Sequence, residues 1–168
     1  LMVHTGKGNG KSTAAFGLAM RAMGNGMRVG IVQFVKGKWQ TGERVILEKF
    51  PELATIRTMG EGFTWDTQDR QRDITAAKVA WQTACEMMTD ERYDLIILDE
   101  LNIVLRYDYL AVEEIVCTLK ERRDDLHVVV TGRNAKDELI EAADLVTEMG
   151  EIKHHFKAGV KAQTGIEY

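Results

Sequence analysis

Short runs of β-branched and aliphatic residues alternate along this chain with amphipathic stretches, and that alternation constrains its fold more than any other feature. The runs cover residues 2–4, 28–35, 53–59, 93–98, 126–131 and 145–148. They have strand length, and most lack polar alternation, as strands covered on both faces do. The stretches at 11–24, 42–50, 67–90, 109–123 and 135–143 read as helices. Strand followed by helix throughout predicts an α/β fold: a mainly parallel sheet, right-handed crossovers and helices on both faces. In such sheets ligands sit beyond the carboxyl ends of the strands, so the loops there are where function is sought.

The 168 residues suit one domain spanning 1–168, with no internal repeat and no low-complexity tract. Hydrophobic residues at 45%, charged residues at 29% and a single proline, Pro51, exclude disordered and collagen-like chains. A net charge of -4 argues against a nucleic-acid partner. No apolar run approaches membrane-spanning length and no signal peptide opens the chain, so a cytoplasmic protein without a membrane partner is expected. The chain begins at Leu1 already inside a strand, from which a natural segment before it is expected. Cys85 and Cys117, without C-x-x-C spacing, are expected to be reduced and buried.

The strand at 2–4 runs into Thr5-Gly6-Lys7-Gly8-Asn9-Gly10-Lys11-Ser12 and then a helix. The sequence departs from the G-x-x-x-x-G-K-[ST] phosphate loop at Thr5, yet strand, glycine-rich loop and helix follow in the order such a loop requires. Its glycines let backbone amides converge, and the helix start adds about half a positive charge. Lys11 then bridges phosphate oxygens and the Ser12 hydroxyl ligates Mg²⁺. A second signal is YDLIILDE, a hydrophobic strand ending in Asp99-Glu100, an acidic pair able to hold the metal of a nucleotide or to start the next helix. Together these predict nucleotide binding. They leave the reaction open between a kinase or ATPase and a nucleotide-dependent binding module. A nucleoside kinase usually shows a lid of clustered arginines, and only Arg122-Arg123 stand together.

Three stretches decide among these readings: TGKGNGKSTAAFG (5–17), GFTWDTQDR (62–70) and FKAGVKAQTGIEY (156–168). With weaker matches at VQFVKGKWQTGER, LDELN and VVTGR, they resemble the ATP-dependent corrinoid (cob(I)alamin) adenosyltransferases of the P-loop type over nearly the whole chain. That resemblance implies a RecA-like nucleotide-binding domain, usually a homodimer. It implies transfer of the 5′-deoxyadenosyl group of ATP to the cobalt of a reduced corrinoid, with triphosphate released. In this family the loop is a G-x-G-x-G-K-[ST] variant that grips the triphosphate with ATP reversed from its common direction, so that the ribose C5′ faces the corrinoid.

Carried over residue by residue, the resemblance places ATP on Thr5, Gly6, Lys7, Gly8, Asn9, Gly10, Lys11, Ser12 and Thr13, with Arg133 on the phosphates and Lys7 and Asn9 at variable positions. It places Mg²⁺ (or Mn²⁺) on Ser12 and Glu100, the glutamate acting as metal ligand rather than base. Cobalt(I) attacks carbon, so catalysis stabilises a leaving triphosphate, a task for Lys11, the loop amides and the metal. Phe63 and Trp65 match the aromatics that pack beneath the corrin ring and displace its lower ligand. Losing an axial ligand favours the reduced metal, and about 59 mV is a tenfold change for a one-electron couple. A flavin-type reductant protein is the implied electron donor. Read from the residues alone, the same two rings could equally seal a core.

Other features read more plainly. Lys36, Lys38 and Trp39 lie in a loop after a strand, and Glu43 with Arg44 opens a short helix whose dipole suits the acid. Adjacent His154 and His155 on extended chain would face opposite ways and would not share a metal. The methionines, among them Met20, Met23, Met87 and Met88, are expected in the core. Trp81 is expected on the buried face of a helix of about 36 Å, 24 residues at 1.5 Å each.

Overall fold

The computed structural model describes residues 1–35, 41–59 and 69–166. Among these, six strands form one sheet: β1 (Met2–Thr5), β2 (Val29–Gln33), β3 (Ala54–Thr58), β4 (Leu95–Asp99), β5 (His127–Thr131) and β6 (Leu145–Glu148). Their order is β3-β2-β4-β5-β1-β6 and every pairing is parallel. The expected architecture is therefore present.

Helix α1 (Lys11–Gly24) and helix α2 (Gly42–Leu47) cover one face of the sheet. There Ala15, Phe16, Ala19 and Leu47 pack on Val29, Ile31, Leu95, Ile97 and Val129. Helices α3 (Arg70–Thr89), α4 (Leu101–Arg106), α5 (Val112–Lys120) and α6 (Asp137–Ala142) cover the other, over Val32, Ile96, Leu98, Val128 and Val130. Odd and even residues of β4 thus point to opposite cores, which is why that strand shows no polar alternation. Asp69 caps α3 by accepting from Arg72 N at 3.1 Å.

Several expectations need correction. The stretch at 109–123 holds the shorter helix α5, and α4, a six-residue helix directly after Glu100, had too few residues to show a period. α3 is described over 20 residues, about 30 Å, and Trp81 on it is half-buried against the core rather than enclosed. β6, one of the sheet's two edge strands, is exposed at all four residues. The cysteines are free as expected, but Cys85 is half-buried and Cys117 is exposed. Met87 and Met88 are core residues, whereas Met20 is 45% exposed on the outer side of α1. No helix among the described residues is long and apolar enough to cross a membrane.

Candidate functional site

The carboxyl ends of β1, β4 and β5 meet where the sheet opens toward α1. The loop after β1 starts α1 at Gly10, whose φ of 102° lies in the left-handed region. The first turn of the helix carries no acidic residue, so its unpaired amides and positive dipole end face an open cavity. Loop position is set by the turn after β6: Gly8 N donates to Met149 O at 2.7 Å, and a Cβ on Gly8 would lie 2.5 Å from Gly150 O. Gly6, at φ 95°, has no room for a Cβ beside the Met149 backbone. Both glycines are thus required by close backbone contact.

A cavity of about 570 Å³ is lined by Asn9, Gly10, Lys11, Ser12, Thr13, Glu100 and Arg133, joined by Gly42 and Glu43 of α2 and by Gly165 and Ile166 near the carboxyl terminus. The Lys11 ammonium is buried and donates to Gly8 O at 2.5 Å. Its pKa is lowered by burial first and by the Arg133 guanidinium second, against the attraction of Glu100. An anion entering between Lys11 and Arg133 relieves that repulsion. Thr5, Gly6 and Lys7 border a separate depression of about 630 Å³ with Asn134, Glu148 and Glu151, and the Thr5 hydroxyl accepts from Ala135 N at 3.0 Å.

The acidic strand end divides its two members. Asp99 turns inward and accepts from Ser12 Oγ at 2.8 Å and from Thr131 Oγ1 at 2.7 Å, both on Oδ1, while Gln33 Nε2 donates to Oδ2 at 3.3 Å. Glu100 turns into the cavity at φ 63°, its amide donating to Thr131 Oγ1 at 3.0 Å. Burial, and then the Asp99 charge, push the Glu100 carboxyl up to about 7. Its Oε2 is buried with no hydrogen-bond partner among the described residues. Gly132, at φ 128°, makes room for this corner: a Cβ there would lie 3.1 Å from Glu100 Oε2 and 2.8 Å from Asn102 Cβ. Asn102 fixes that turn by donating to Gly132 O at 2.9 Å.

An orphaned carboxylate oxygen beside a serine hydroxyl and an open polar cavity suits a hard cation completed by phosphate oxygens and water. Mg²⁺ is usually held that way, by one or two carboxylates rather than by a protein cage. Among the described residues, no group of three or more His, Cys, Asp or Glu could hold a metal ion. The His154 and His155 rings lie 4.7 Å apart rather than on opposite faces, because the chain turns into a short 3₁₀ segment (His155–Ala158) there. His154 Nε2 sits 3.3 Å from Asn9 Nδ2, against the phosphate loop.

Sequence reasoning missed Asp99 as the acceptor of the Ser12 hydroxyl, and with it Thr131, Gln33 and Asn102. The available signal was the position of Asp99 as last residue of a buried strand, where an inward side chain faces the neighbouring strands. Phe63 and Trp65, together with Lys36, Lys38 and Trp39, lie outside the described residues.

Two solved structures share this fold. RadB recombinase matches with a TM-score of 0.54 at 11% identity, over 92% of this chain and 76% of its own. The flagellar accessory protein FlaH from Methanocaldococcus jannaschii matches with a TM-score of 0.53 at 10% identity, over 88% and 69%. What they share with this chain is the fold, a parallel sheet with helices on both faces. Sequence relatives are nearer. Corrinoid adenosyltransferases from Sinorhizobium sp, Pseudomonas aeruginosa and Escherichia coli strain K12 are 55%, 52% and 49% identical across all of this chain and 79%, 83% and 85% of their own lengths. A family model described as ATP:corrinoid adenosyltransferase BtuR/CobO/CobP matches residues 1–168, so the chain belongs to the ATP:corrinoid adenosyltransferase family.

Proposed function

We propose that the cavity binds ATP by its triphosphate and that the protein transfers the 5′-deoxyadenosyl group to the cobalt of a reduced corrinoid. One observation carries this reading beyond family membership. The buried Lys11, Arg133 and the acid-free start of α1 converge on one cavity with the carboxylate of Glu100, whose Oε2 has no hydrogen-bond partner among the described residues. That arrangement suits a polyanion that arrives with a divalent cation.

In the transfer, cobalt(I) supplies the electron pair for the new Co–C5′ bond. The C5′–O5′ bond breaks and its electrons leave on triphosphate. Lys11, the amides of the loop and the α1 dipole hold that developing charge. A Mg²⁺ or Mn²⁺ ion, held through Ser12 and Glu100, would add charge neutralisation at the same oxygens. Asp99 accepts the one hydrogen bond that the Ser12 hydroxyl can donate, which leaves the hydroxyl lone pairs free to face the cavity. No activated water is consumed, so Glu100 serves as a ligand, and Arg133 meets the phosphates from the cavity rim.

The same proposal includes Phe63 and Trp65 as the floor of the corrinoid site, a homodimer, a flavin-type protein as electron donor and a cytoplasmic setting. The first three are carried from the family resemblance, the last from the reading of the sequence for spans and signal peptides. Product analysis is the direct test. With ATP and chemically reduced cobalamin, adenosylcobalamin and triphosphate should accumulate in equal amounts. ADP as the main product would replace this reading with a kinase or ATPase, and no turnover would replace it with a binding module.

A further inference from the structure

Helix α2 brings Glu43 to the nucleotide cavity, and the next residue, Arg44, is tied by an unbroken line of hydrogen bonds to the carboxylate that receives Ser12. Arg44 Nη1 donates to Thr58 Oγ1 at 3.1 Å, Thr58 Oγ1 donates to Gln33 Oε1 at 2.9 Å, and Gln33 Nε2 donates to Asp99 Oδ2 at 3.3 Å. A guanidinium can only donate and a carboxylate can only accept. The two groups between them therefore have one orientation, running from the cation to the anion.

The line crosses the site from outside. Gln33 ends β2, Thr58 ends β3 and Arg44 lies in α2; none of the three lines the cavity. Arg44 is held in turn by Glu48, one helical turn on, at 2.7 Å. At the far end, Asp99 presents Oδ1 to Ser12 and Thr131 while Gln33 donates to Oδ2, so both carboxylate oxygens are held. Its orientation decides where the Ser12 lone pairs point.

We propose that Gln33, Thr58 and Arg44 are positioning residues that lock Asp99 to helix α2. Through them the cation end of the nucleotide site and Glu43 on α2 behave as one unit: an ordered α2 aims Ser12 at the cation, and a bound cation fixes α2. This inference rests on the reading that the cavity takes ATP together with a divalent cation at Ser12. The residues carry the coupling without touching nucleotide. Their loss reduces the cation's contribution to binding and leaves the phosphate contacts of Lys11 and α1 in place.

The experiment is calorimetric ATP binding to the full chain, with and without Mg²⁺. Thr58→Val is nearly isosteric and cuts the line one step away from Asp99. The expected result is that the gain in ATP affinity given by Mg²⁺ falls roughly tenfold, as for a lost hydrogen bond in a charged network. Affinity without Mg²⁺ should stay at the wild-type value, and Thr58→Ser should restore the gain. A purely structural role would lower both affinities by the same factor, and that outcome overturns the relay. Should Thr58→Val fail to fold, Arg44→Met at a half-exposed helix position carries the same expectation. A wild-type chain whose ATP affinity is indifferent to Mg²⁺ overturns both the metal reading and the relay. A Mg²⁺ gain that survives Thr58→Val overturns the relay alone.

Discussion

Glu100 is held at its own expense in the ligand-free protein. Its ordinary value of 4.5 rises to about 7, so between those values the native state keeps a proton that the unfolded chain has lost. Stability is then complete below pH 4.5 and is lost as pH rises through 7, by at most about 3 kcal/mol. Glu100→Gln should recover about 2 kcal/mol of this at pH 8 and almost nothing at pH 5, measured by urea unfolding without nucleotide. Lys11 is the counterpart, a buried cation whose pKa is lowered until an anion arrives. Lys11→Ala should weaken ATP binding at least about tenfold, since charge-assisted contacts to phosphate are lost. On the function proposed above, the aromatic pair belongs to a different step. Phe63→Ala with Trp65→Ala should leave ATP affinity nearly intact and abolish adenosylation that starts from cobalt(II). A visible spectrum of the protein with ATP and cob(II)alamin reads that step directly, because four-coordinate cobalt(II) absorbs differently from the five-coordinate form.

Among the elements, the phosphate loop depends on a partner far away in sequence. Gly6 and Gly8 lie against the backbone of Met149 and Gly150, and Gly6 also needs a positive φ. Gly6→Ala therefore has no strain-free conformation and no space, and should cost roughly 1–3 kcal/mol of stability as well as ATP affinity. Thermal melts and nucleotide titrations on the same variant check both losses. β4 shows why one strand can serve fold and site at once. Leu95 to Leu98 fill both cores, and the strand then ends in two carboxylates that point to different neighbours.

Across the whole molecule, the carboxyl-terminal segment closes the cavity without joining the core. Gly165 and Ile166 line the site, while Ile152, Phe156 and Ile166 are largely exposed. Removing residues 151–168 should lower ATP affinity several-fold and shift the melting temperature by no more than a few degrees, because little apolar area is buried by that segment. A large fall in melting temperature would instead assign the segment to the fold. β6, the exposed outer strand, positions Met149 and Gly150 behind the loop and thereby links this segment to the phosphate site.

The alternation of strand and helix, the phosphate loop and the acidic strand end were all legible in the chain. Each is a local pattern: a hydrophobic period, a glycine spacing, a charge at the end of a run. What tertiary structure alone decided was which distant groups those patterns meet. It gave the Ser12 hydroxyl to Asp99, 87 residues away, and left Glu100 Oε2 without a hydrogen-bond partner among the described residues. It also exposed Cys117. The order β2-β4-β5-β1 brings these partners together across strand ends. Strand order arises from burying both faces of the sheet at once, and no window of sequence encodes that global packing.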